Sequence, residues 1–168
     1  MISRPQNAEA ASYYFTYIDQ VTGDDPVGAL KNQLEESRRC SRRSPKKNRC
    51  YAPEKGSIRQ VLNHVTDTER AFTFRALWFA RGFESPLPSY DQNVASSGAE
   101  ADLVSCAAHI EEFRHVRLSA ISLFRNMPSP AWTRSGIASD NSFTVRALAY
   151  IIPGHFAHHV SMLRERYL

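Results

Sequence analysis

The chain has 168 residues, 42% of them hydrophobic and 23% charged, proportions of a globular domain long enough to bury its own core. Three cysteines without a C-x-x-C pair argue against a disulfide framework or a structural zinc knuckle, and the longest apolar run, 147–153, is far too short to span a bilayer. The net charge of +4 is local: residues 38–49 (RRCSRRSPKKNR) hold seven Lys or Arg and no acid, and the remainder has 14 basic against 17 acidic residues, a net of −3.

In chain order, residues 1–25 form an aromatic-rich approach segment (SYYFTYIDQV) without the continuous apolar core of a secretory signal, so a cytoplasmic location is expected. It closes on Gly23-Asp24-Asp25-Pro26, where Asp25 suits an N-cap and Pro26 a first helical turn. Val27, Leu30 and Leu34 give the following helix an apolar stripe that runs to about Arg39. The stripe lapses in the basic run, which reads as a solvated loop over 38–49. Ser57 is the next N-cap. Ile58, Val61, Leu62, Val65, Thr68, Phe72, Ala76 and Phe79 predict a long second helix that ends before Gly82.

Residues 82–98, with Pro86 and Pro88, read as loop. A third helix is predicted from Ala99, with Leu103, Cys106, Ile110, Phe113, Arg117, Ala120, Ile121 and Phe124 on one face, stopping before Pro128 and Pro130. No segment alternates with period two. A fourth helix begins at Asp140 or Ser142 and runs to Tyr167, with Pro153 removing one internal hydrogen bond and kinking it. Four amphipathic helices in a single domain, 1–168, are satisfied by an all-α four-helix bundle.

Chemistry enters through the fourth helix. Leu148, Ile151, Ile152, His155, His159, Met162 and Leu163 share one sector, whereas His158 lies on its rim. An i, i+4 pair of inward imidazoles stands about one turn, ~6 Å, apart and makes a ready metal chelate. The same pattern also suits two core histidines satisfied by backbone carbonyls. His64, in NHVTDTER, flanks the apolar face of the second helix; His109 and His115 lie near charged neighbours on the third. Asp67, Glu69, Arg75, Tyr90 and Asp91 are polar groups available to line a mouth, and helical phase alone does not place them.

The stretch SIRQVLNHVTDTERAFTFRALWFARG with the PLPSYDQN loop, EEFRHVR, and TVRALAYIIPGHFAHHVSMLRERYL resemble the DinB-like superfamily. The likeness runs from Tyr51 to Leu168, and the approach segment also fits. The resemblance implies an up-down bundle holding one divalent metal through a histidine of the second helix and an H-x-x-x-H pair of the fourth, here His64, His155 and His159. Three protein ligands with an open position describe a catalytic site, and three imidazoles suit Zn or Ni equally. The superfamily includes S-transferases and isomerases that use low-molecular-weight thiols and proteins described as metal-dependent hydrolases, so a small-molecule substrate is expected, with a thiol as a candidate.

The chain departs from that pattern at Phe156, where relatives often carry glutamate, and at Gly56, where an aromatic residue is common. Phe156 also removes the H-E-x-x-H metalloprotease reading. Two further readings stand beside the enzyme: a bundle that binds a partner or metal without chemistry, and a nucleic-acid binder acting through the basic run. The run has no aromatic residue for stacking, so nucleic acid is not expected. The aromatic approach segment either packs along its own bundle or covers a symmetric face. Homodimers are frequent in the resembling family, and a homodimer is the expectation.

Overall fold

A computed structural model describes residues 2–43 and 56–167. Among them are six α-helices, α1 (Phe15–Ile18), α2 (Pro26–Arg43), α3 (Ile58–Ala80), α4 (Gln92–Gly98), α5 (Cys106–Arg125) and α6 (Val145–Tyr167), with a hairpin of β1 (Ser135–Ala138) and β2 (Asn141–Thr144) before α6. The long helices α2, α3, α5 and α6 form a four-helix bundle. Each of α2 and α3 packs on both α5 and α6, so α2 and α3 occupy opposite corners. None of the helices in the described residues is long and apolar enough to cross a membrane.

Most of the apolar positions read from the sequence on the second and third predicted helices are buried. Val65, Phe72, Ala76 and Phe79 of α3 and Phe113, Ala120, Ile121 and Phe124 of α5 turn inward. The first half of α6 is buried nearly all round, from Val145 to Phe156, because α1, α2, α3 and β2 all pack against it. Ser57 caps α3 as expected, accepting from Gln60 N–H while the Gln60 side chain accepts from Ser57 N–H.

Several boundaries differ from expectation. Helix α2 continues to Arg43, so residues 38–43 of the basic run are helical, and the rest of that run, 44–49, lies outside the described residues. Within the expected 82–98 loop, Asp91 accepts from Asn93 and Val94 N–H and starts α4. Helix α5 begins at Cys106 behind a Ser105 cap rather than at Ala99, leaving Leu103 81% exposed. The hairpin escapes a period-two reading because Ile137 faces solvent while Ala138 and Phe143 face the core. Its two turn residues, Ser139 and Asp140, both have positive φ, 50° and 58°, as a two-residue hairpin turn requires.

The approach segment lies along its own bundle. Ile18 and Val21 are buried, and Tyr14, Phe15 and Tyr17 pack against the main core. Glu9 clasps the start of α6 through Arg146 and Thr144. The closest approach falls at Gly154, where any Cβ would collide with the Tyr17 carbonyl oxygen.

One polar chain threads all four long helices. Arg117 of α5, fully buried, donates from Nε and Nη2 to the two Glu69 oxygens of α3, both at 2.8 Å. Its Nη1 donates to Gln33 Oε1 of α2 at 2.6 Å, and Gln33 Nε2 donates to the Pro153 carbonyl of α6 at 2.8 Å. Burial pushes the Glu69 carboxyl up, and the guanidinium opposes that shift. Removing one partner of such a pair strands a buried charge. Arg117→Met should therefore lower stability by roughly 3–5 kcal/mol, and the Arg117→Met, Glu69→Met double variant should recover much of the loss, as measured by urea denaturation.

Candidate metal centre

Helix α3 delivers His64, and successive turns of α6 deliver His155 and His159. His155 is buried and the other two are half-buried. The rings are tilted rather than stacked, at 59° and 67° to His155, and they aim their Nε2 atoms at a common point. His155 Nε2 lies 3.3 Å from His64 Nε2 and 3.1 Å from His159 Nε2. The candidate ligand atoms of the three residues all fall within 4.8 Å of one another.

That donor set fits a cation better than it fits hydrogen bonds. A neutral imidazole carries one N–H, and His155 Nε2 faces two nitrogens at once. His159 Nδ1 is buried without a partner, so its ring has no polar contact besides Nε2. Tetrahedral coordination with ~2.05 Å metal–nitrogen bonds separates neighbouring nitrogens by about 3.3 Å, close to the separations seen here. Burial first, and then the neighbouring imidazoles, hold His155 well below its ordinary range and His159 down to about 3. Burial also lowers His64, against the pull of Asp67. All three are therefore neutral at neutral pH, the form that binds metal.

Aromatic side chains pack on the His155 ring. Tyr17 sets its ring edge-on to His155 at 5.2 Å between centroids, and Phe72 lies 6.4 Å away on the α3 side. Tyr17 shares a 2.7 Å hydrogen bond with the Tyr13 hydroxyl, and burial with that neighbour pushes its phenol above the ordinary range. The aromatic richness of the approach segment was visible in the sequence. That Tyr17 would meet His155 depends on α1 packing along α6, which the turn residues at 23–26 do not by themselves encode.

The remaining histidines stand apart. His158 is exposed. His109 is buried and donates from Nε2 to the Ala101 carbonyl at 2.9 Å, tying the 101–103 turn to α5. His115 lies on the surface beside Glu111. Of the acidic candidates, Glu69 belongs to the core ion pair, Asp91 caps α4, and Asp67 is held by Asn63 Nδ2 at 2.8 Å and by Arg70 at 2.9 Å.

One turn along α3 from His64, a cavity of about 710 Å³ opens between α3, α4 and the 87–90 loop. Asp67, Arg70, Phe74, Arg75 and Tyr90 line it. Leu87 N–H donates to the Ile137 carbonyl at 2.9 Å, which ties this loop to the hairpin. Phe156, where an acid would follow the first α6 histidine, stacks on Phe113 at 5.1 Å and serves the core.

The fold has a solved counterpart. The structure of YfiT from Bacillus subtilis, described as "a probable metal-dependent hydrolase with an unusual four-helix bundle topology", superposes with a TM-score of 0.70 over 98% of this chain and 91% of that one. At 14% identity this likeness speaks for the fold. No curated protein matches the chain. The sequence pattern of the DinB superfamily matches residues 12–163. With a pattern match spanning most of its length and a bundle of the same fold as YfiT, the chain belongs to the DinB superfamily.

Proposed function

We propose that His64, His155 and His159 hold one divalent metal, Zn or Ni, and that the protein is a metal-dependent enzyme acting on a small molecule. The convergence of three neutral Nε2 atoms carries this reading, and the description of YfiT as metal-dependent supports it. A metal bound by three imidazoles supplies Lewis acidity and lowers the pKa of a water or thiol that enters its open side.

The residues around the histidines favour a thiol. Hydrolysis requires a group that takes the proton from water, and the position next to His155 is given to Phe156 in the core. Asp67, the acid nearest His64 on the same face of α3, is engaged by Asn63 and Arg70. Thiol transfer asks less of the protein. The thiol proton leaves to solvent, the sulfur forms a bond to an electrophilic carbon, and the leaving group departs with its electron pair. The walls of the cavity orient the electrophile.

Three outcomes follow. His64→Ala, His155→Ala and His159→Ala should each lower metal content sharply in elemental analysis, and His115→Ala and His158→Ala should not; full retention by the His155→Ala, His159→Ala double variant would refute the ligand set. In the metal-free protein the three histidines resist protons that the unfolded chain accepts below about 6.5. Stability should be insensitive to these groups above that pH and fall as pH drops from 6.5 toward 3. The slope should reach at most about 1.4 kcal/mol per pH unit for each histidine, and His159→Ala should flatten it in urea titrations. Metal-loaded protein should consume a chromogenic aryl halide faster with small thiols than without. Ester or amide hydrolysis with no thiol dependence would reject the transferase reading.

A further inference from the structure

Arg75 is the one charged side chain lining the cavity that is also buried, at 5% exposure. No carboxylate of the described residues lies within ion-pair distance of it, in contrast to Arg117, Arg70 and Arg146. Its partners are neutral. Nη2 donates to Ser139 Oγ at 2.7 Å, and the guanidinium carbon sits 5.5 Å and 5.9 Å from the Phe72 and Phe143 ring centres.

A guanidinium has five N–H donors in a planar fork, and the Ser139 hydroxyl uses one of them. None of the Arg75 nitrogens is a sealed, unsatisfied atom, so those without a partner keep some accessible surface, and the side chain lines the cavity. Burying a cation without a counter-charge costs several kcal/mol. The protein holds it in place with Ser139 and two aromatic faces, and no carboxylate of the described residues compensates its charge.

We propose that Arg75 is a recognition site for a carboxylate on the small-molecule substrate or thiol cosubstrate. The proposal rests on the metal-site reading only for the other end of the ligand. The Arg75 guanidinium carbon lies 5.5 Å from the Phe72 ring centre, which lies 6.4 Å from that of His155, so no more than about 12 Å separates that carbon from the His155 ring centre. A ligand with a reactive group and an acid that distance apart or less can engage both. Phe74, Leu87 and Val94 line the same cavity as Arg75 and give it an apolar wall.

Mercaptohexanoate and mercaptohexanol differ only in the acid and test this by calorimetric titration into zinc-loaded and zinc-free full-length protein. The acid should bind about tenfold tighter than the alcohol, a difference of about 1.4 kcal/mol, in both forms. Arg75→Gln should erase that preference. Should Arg75→Gln fail to fold, Ser139→Ala, which removes the hydroxyl that aims the fork, should reduce the preference at least threefold. Equal affinity for acid and alcohol, or a preference that survives these substitutions, overturns the assignment. If zinc changes neither affinity while the Arg75-dependent preference persists, the metal–thiol reading fails and the carboxylate site stands.

Discussion

The structure depends on keeping one buried charge satisfied. Arg117 cannot be moved without leaving its guanidinium or the Glu69 carboxylate unpaired and sealed from the surface. Its fork is matched to Glu69 on α3, its third nitrogen to Gln33 on α2, and Gln33 in turn to the Pro153 carbonyl on α6. Hydrophobic packing tolerates small slides between helices, but a bidentate ion pair does not. This chain of bonds therefore sets the axial register of all four long helices. It ends two residues before His155. The guanidinium also lies over Phe113 and Phe156, at 4.9 and 5.0 Å, so the residue after His155 is held by the same group.

The histidines inherit this rigidity. His64 rides on the helix that carries Glu69, five residues and somewhat more than one turn away. His155 and His159 follow Pro153, and Tyr17 closes over His155 from the approach segment. The His155 ring is thus positioned by groups outside the set of three, as a preformed ligand site requires. The positive charge of Arg117 also counts among the influences that keep His155 neutral, though it is smaller than burial and the neighbouring imidazoles.

How much of this was legible in the sequence varied with the range of the interaction. The apolar stripe of α6 put His155 and His159 inward and His158 on the rim, and the same 3.6-residue period governs the folded helix. Resemblance was needed for His64, because a histidine on the flank of a stripe has no preferred neighbour until α6 lies beside it. Arg117 appeared within an apolar face, which signals a buried partner without naming one; Glu69 lies 48 residues away. Arg75 looked like one of several polar candidates, and its lack of an acid is a property of the folded neighbourhood. The hairpin was illegible because Ile137 points outward, reversing the alternation a strand should show.

The glycine beneath Tyr17 joins the beginning of the chain to its end. Tyr17 can seat only on a completed turn of α6 at Gly154, and Glu9 reaches Arg146 across 137 positions. His64 waits on a partner 91 residues downstream. On the ribosome, the first twenty residues and the second helix emerge long before the helix they need, and they have no local substitute for it. The three nitrogens come together only after the last helix has left the exit tunnel. Metal capture at this site would thus have to follow the emergence of α6, and a chain truncated before residue 155 would keep His64 while lacking both of its companions.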